Sequence, residues 1–123
     1  MKLFVALGSI NMLLSVALGA FGAHGLKSKI SSEMLSVYQT GVHYHVIHAL
    51  GLIFIGILSE KLAGTSLAGW AGWLMFAGIV LFSGSLYALS TSGVKALGAI
   101  TPLGGVAFIV SWLLLAIAAW KSL

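Results

Sequence analysis

Four long runs of apolar residues follow one another along the chain, separated by short polar segments. About 20 helical residues cross a hydrocarbon core of about 30 Å, so each run is long enough to form one membrane-spanning helix. The pattern predicts spans at about residues 3–24, 34–60, 67–90 and 102–120. We therefore expect an all-α fold, an integral membrane four-helix bundle that forms a single domain over residues 1–123.

Two of the predicted helices carry clear start signals. Ser31 precedes the second run as a candidate N-cap, with Glu33 in the first turn, where a carboxylate suits the helix dipole. At the fourth run, Thr101 is a candidate N-cap and Pro102 then occupies the first helical position. These signals predict where the second and fourth helices begin.

Small residues recur at helical spacing in the first and third runs, which favours close packing of helices within a membrane. In the first run they share one face, formed by Gly8, Asn11, Ser15, Gly19 and Gly22. We expect Asn11 to hydrogen-bond to a neighbouring helix rather than to bind a ligand. Bulky substitutions at Gly19, or at Gly84 in the third run, are expected to disturb assembly.

The densest group of polar side chains lies in the second run, between Tyr38 and His48. At about 100° per residue, one helical stripe contains Tyr38, Gly41, His45, His48 and Leu52. Tyr44 falls on the shoulder of this stripe, and His43 falls on the opposite side. A lipid-facing imidazole would lack partners, so we expect His48 to be buried against the first or third helix with Tyr44 beside it.

Chain order brings further polar residues to the same half of the membrane, because the first and third spans end on the side where the second and fourth begin. One hypothesis is a single pocket for a ligand near the first and third loops. The alternative is that the tyrosines are interfacial belt residues and each histidine bonds to a backbone carbonyl. The candidate pocket residues are His24, Tyr38, Tyr44, His45, His48, Ser83, Ser85, Tyr87 and Thr101.

Composition supports a membrane protein and excludes several other classes. The chain is 60% hydrophobic and 7% charged, with a mean hydropathy of +1.14. The formal charge of +4 comes from scattered single lysines, which are typical of membrane flanks and not of nucleic-acid binding. The absence of cysteine excludes disulfides and thiolate metal sites.

The lysines leave the membrane orientation nearly balanced. Three of them, Lys2, Lys61 and Lys121, lie on the side of the termini, and Lys27, Lys29 and Lys95 lie on the other. The α-amino group tips the balance of positive charge towards cytoplasmic termini.

Catalytic and metal chemistry find little support in these residues. The chain has no aspartate, and both glutamates, Glu33 and Glu60, lie at helix ends, so no nucleophile, base and orienting group come together. We expect no catalytic residues and no enzyme activity. The pair His45 and His48 has the spacing of two metal ligands, but further donors are scarce and His24 lies at the interface. We therefore expect no metal and no cofactor.

Four motifs in order resemble the domain of unknown function 423 family of small bacterial membrane proteins. They are Gly19-Ala-Phe-Gly-Ala-His24, Gln39-Thr-Gly-Val-His-Tyr44 with His48, Leu81-Phe-Ser-Gly-Ser-Leu-Tyr87 and Thr101-Pro-Leu-Gly-Gly105. The resemblance implies four helices and a bacterial plasma membrane, and it marks the positions of His24, Tyr44 and His48. It implies no particular activity.

Two functional hypotheses follow. In the first, a non-enzymatic bundle in the lipid bilayer binds a small ligand, a lipid headgroup or a partner helix, which belongs to a second copy or to another membrane protein. The alternative is an oligomeric proton-coupled or small-solute transporter that uses the same histidines and tyrosines. A redox or metal protein is a third hypothesis, based on the histidines alone.

Overall fold

The computed structural model describes residues 2–123 and confirms the all-α fold. No strand occurs among these residues, and four helical segments are long and apolar enough to cross a membrane. These four candidate spans are Lys2–Leu26, Ser32–Leu58, Leu67–Ser92 and Lys95–Ser122. They are built from the α-helices α1 (Lys2–Phe21), α2 (Ser32–Leu58), α3 (Leu67–Gly78), α4 (Gly84–Ser92) and α5 (Thr101–Ser122).

The helix starts agree with the sequence in one case and differ in the other. Ser31 caps α2, because its hydroxyl accepts a hydrogen bond of 3.1 Å from the backbone N–H of Met34. The predicted cap at Thr101 is wrong, since Thr101 is already the first residue of α5. Its hydroxyl instead lies 2.6 Å from the Ser85 hydroxyl of the third span, a partner that the local sequence does not indicate.

Two π-helical turns shape the first and third spans. One, Gly22–Leu26, ends the first span, and the other, Ile79–Ser83, separates α3 from α4. A π turn inserts an extra residue into the helix and so changes which side chains face a neighbour. The second turn leaves Ser83 buried, with its hydroxyl donating 2.7 Å to the carbonyl of Gly41 in α2.

The second span is the centre of the bundle. Of its apolar stretch, 44% is buried within the protein, compared with 39% for the third span and 22% for the first and fourth spans. The main apolar core joins all four spans and includes Phe4, Leu52, Ile55, Met75 and Phe108. Most of the outer surface of the first and fourth spans is therefore available to lipid.

Several glycines lie where helix backbones approach closely. A Cβ atom on Gly8 would lie 2.7 Å from the carbonyl oxygen of Ala49, and one on Gly19 would lie 3.2 Å from Val42. The small face of the first span thus packs against α2, as predicted. Gly84 differs, since a Cβ there would meet nothing closer than a backbone oxygen at 4.0 Å. The expectation that bulk at Gly84 disturbs helix packing is not supported by this environment.

Candidate functional site

The polar stripe of α2 faces the interior of the bundle. Tyr38, His45, His48 and Leu52 are each no more than 4% exposed, and Gly41 is buried beside them. His43 is exposed on the opposite side of the helix. Helical periodicity therefore assigned the buried and exposed faces of this segment correctly.

His45 is the centre of a hydrogen-bonded chain that crosses three spans. The side-chain amide N–H of Asn11 donates a hydrogen bond of 2.9 Å to the carbonyl of Leu7. The Asn11 Oδ1 atom therefore accepts the hydrogen bond of 3.0 Å from His45 Nε2. His45 Nδ1 is then the acceptor for the Tyr87 hydroxyl at 2.9 Å. Each polar atom of this chain has a partner, and the prediction that Asn11 bonds between helices is confirmed.

Tyr38 adds a second polar connection between the first and second spans. Its hydroxyl donates 2.6 Å to the backbone carbonyl of Leu18, and its ring lies 5.2 Å from the ring of Tyr87. Tyr38 is thus a packed structural residue, and its hydroxyl is not available to a ligand.

His48 is also fully hydrogen-bonded, but against a different helix from the one expected. Its Nδ1 donates 2.7 Å to the carbonyl of Tyr44, and its Nε2 accepts 3.0 Å from the indole N–H of Trp112. The ring stacks on Phe108 at 3.5 Å between centroids. Phe108 and Trp112 belong to α5, so the prediction that His48 packs on the first or third span is wrong, although Tyr44 does lie beside it.

Sequence reasoning missed the two aromatic partners of His48. Trp112 lies in the middle of the fourth span, away from the interfacial zone where tryptophan is usually enriched. That unusual depth is the available signal, because an indole N–H within hydrocarbon needs an acceptor. Phe108 lies one turn earlier on the same helix, and nothing in its local sequence indicates a histidine partner.

A cleft of about 490 Å³ opens beside His48, between the second span and the third and fourth spans. The residues that line it are mostly aromatic or aliphatic. Tyr44 forms one wall, with its ring 4.5 Å from that of Phe82, and is 39% exposed. The lining residues are His43, Tyr44, Ile47, His48, Phe82, Gly105, Phe108, Ile109 and Trp112.

The nine candidate pocket residues are distributed over four places and do not form one pocket. The core holds Tyr38, His45, Ser83 and Tyr87, while Ser85 and Thr101 pair between the third and fourth spans. The cleft contains Tyr44 and His48. His24 lies apart, exposed in the π turn after α1, and makes no side-chain hydrogen bond with any residue that the structure describes.

Metal coordination would compete with these hydrogen bonds. All ring nitrogens of His45 and His48 already bond within the protein, so neither ring offers a lone pair without losing a partner. Within residues 2–123, no group of three or more His, Cys, Asp or Glu side chains could hold a metal ion.

Comparison with known proteins agrees with the membrane fold. The family model described as "Protein of unknown function (DUF423)" matches residues 18–105. This chain belongs to the DUF423 family. The match confirms the resemblance noted in the motifs. It runs from the end of α1 through α2, α3 and α4 to the beginning of α5.

Curated relatives extend over the whole chain. The UPF0382 membrane protein YwdK of Bacillus subtilis (strain 168) is 61% identical over 100% of both chains. The UPF0382 membrane protein SAB0533 of Staphylococcus aureus (strain bovine RF122 / ET3-1) is 52% identical over 98% of both chains. No solved structure matches the chain. These relatives are named as membrane proteins, which agrees with the four candidate spans.

Proposed function

We propose that this DUF423 protein is a non-catalytic lipid-binding protein of the bacterial plasma membrane, with the aromatic cleft as its binding site. The observation that carries the proposal is the cleft itself, at about 490 Å³ within the usual size range of small-molecule sites. It opens on the outer surface of the bundle, where acyl chains lie, and its lining rings offer apolar faces to a lipid chain. The bacterial relatives support the plasma membrane as its location.

The buried histidines favour lipid binding over proton-coupled transport. A proton carrier needs a ring nitrogen that can exchange a proton with a passage. Each nitrogen of His45 and His48 is instead held by a partner inside the bundle. These rings therefore serve best to position helices and to form the wall of the cleft.

Gly105 provides a direct test, because it lines the cleft and has space above its Cα atom. A Cβ there would meet nothing closer than 3.9 Å, at the Phe82 ring. Gly105→Leu should fill part of the cleft without disturbing the fold. We expect it to reduce photo-crosslinking of a phosphatidylcholine with a photoreactive acyl chain to the fourth span, measured by peptide mapping in nanodiscs.

The matched control is Gly84→Leu, the same substitution in the neighbouring span at a position with similar space and outside the cleft. It should leave the crosslinking yield unchanged. Equal labelling of Gly105→Leu and the unmodified protein would contradict the proposal. Crosslinks from the cleft to a second copy or another membrane protein would contradict it as well, because they would show a protein in the cleft.

A further inference from the structure

The Tyr44 hydroxyl is a polar group that the protein leaves for a ligand. The Tyr44 ring packs 6.0 Å from His48 and 4.5 Å from Phe82, but its hydroxyl has no hydrogen-bond partner among the described residues. A phenol O–H that makes no hydrogen bond in hydrocarbon costs up to several kcal/mol. Such groups are therefore rare in membrane proteins. The occupant of the cleft is therefore expected to supply a hydrogen-bond acceptor.

The depth of Tyr44 limits the charge of that acceptor. At 1.5 Å per residue, Tyr44 lies roughly 18 Å from the Ser32 end and roughly 21 Å from the Leu58 end of α2. Tyr44 is therefore several turns from either end of the apolar helix α2. No lysine, aspartate or glutamate is among the residues found to line the cleft. An ionised headgroup would have no compensating charge there, so the acceptor must be uncharged.

The rings around Tyr44 favour a flat headgroup. The ring planes of Tyr44 and His48 are within 6° of each other and those of His48 and Phe108 are within 10°, while the Phe82 and Trp112 rings close the cleft at an angle. Parallel ring faces of this kind suit a planar conjugated group, which gains offset stacking as well as burial. A glycerol ester has no such plane.

We propose that the lipid bound in the cleft is of the prenylated quinone class, with a ring carbonyl accepting a hydrogen bond from Tyr44 and the prenyl chain extending along the fourth span. This inference rests on the proposed lipid-binding function and adds the chemical class of the lipid. A quinone meets the three conditions together: it is uncharged, planar and a hydrogen-bond acceptor.

Trp112 is a convenient reporter, because it lines the cleft and quinones quench indole fluorescence. The other three tryptophans, Trp70, Trp73 and Trp120, are all at least half exposed and outside the cleft, so each can be replaced by phenylalanine. In nanodiscs, a prenylated naphthoquinone should quench the remaining Trp112 emission saturably. Tyr44→Phe should weaken this binding about 3–30-fold, the effect of losing one hydrogen bond within a membrane.

Tyr38→Phe is the matched control, since it removes a hydroxyl from the same helix at a site outside the cleft. It should leave the affinity for the naphthoquinone unchanged. Equal affinity of the Tyr44→Phe and unmodified proteins would overturn the proposal. So would equal competition by diacylglycerol, which is uncharged but not planar, or by phosphatidylglycerol, which is charged.

The two proposals fail in different ways. If acyl-chain labelling depends on Gly105 but the naphthoquinone does not quench Trp112 saturably, the quinone assignment is overturned and lipid binding stands. If the labelling is also insensitive to Gly105→Leu, lipid binding itself is overturned.

Discussion

His45 holds three spans together through two opposite ring nitrogens. Replacing it with phenylalanine would leave the buried Asn11 Oδ1 and the partly buried Tyr87 hydroxyl without their partner. Because each unsatisfied buried polar group costs about 1–3 kcal/mol and two groups lose their partner, we expect His45→Phe to lower the free energy of unfolding by about 2–6 kcal/mol. Equilibrium unfolding in mixed detergent micelles, followed by circular dichroism, measures the change.

The control at the same scale is His43→Phe, which alters an exposed ring two positions away. It should change the unfolding free energy by no more than a few tenths of a kcal/mol, as expected for surface positions. In Asn11→Leu protein, the further loss caused by His45→Phe should be smaller, because one of the two orphaned groups is already gone. Equal stability losses for His43→Phe and His45→Phe would contradict the assigned role of His45.

At the scale of helices, the beginning of α5 packs closely against the third span at Gly104, next to the hydrogen bond between Thr101 and Ser85. A Cβ on Gly104 would collide with the backbone N of Phe82, whereas one on the adjacent Gly105 would have 3.9 Å of clearance. Because backbone atoms cannot rotate away, we expect Gly104→Ala to destabilise the protein by about 1–3 kcal/mol. Gly105→Ala should leave the free energy of unfolding nearly unchanged. Similar unfolding midpoints for the two variants would show that the helices can move apart here without a cost in stability.

Helix number and helix faces could be predicted from sequence, while the pairing of helices could not. The long apolar runs indicate four spans, and the 3.6-residue period separates His45 from His43. A π turn such as Ile79–Ser83 leaves no comparable pattern, because one inserted residue shifts the register without changing composition. The contact of His48 with Trp112 depends on which spans become neighbours, and hydropathy carries no information about that.

At the scale of the whole molecule, α2 contributes to two separate features, the buried hydrogen-bonded chain and the cleft. The inward face of α2 forms the chain around His45, and its flank towards α5 forms the cleft beside Tyr44. The hydrogen-bonded chain around His45 fixes α2 relative to the first and third spans, and it thereby helps to position Tyr44, whose ring packs on Phe82. We expect changes at His45 and Asn11 to affect both stability and lipid binding, and changes at Tyr44 and Gly105 in the cleft to affect binding alone.

Membrane orientation decides which side of the membrane the first and third loops face. Four spans put both termini on one side, and the lysines Lys2, Lys61 and Lys121 on that side equal in number those in the first and third loops. The α-amino group adds one further positive charge near the N-terminus, and positive charge favours the cytoplasm. We therefore expect a phosphatase fusion at Leu123 to be inactive and a green fluorescent protein fusion to be bright in bacterial cells. An active phosphatase fusion at Leu123 would show that the C-terminus is periplasmic. The first loop and the start of α2 would then lie on the cytoplasmic side.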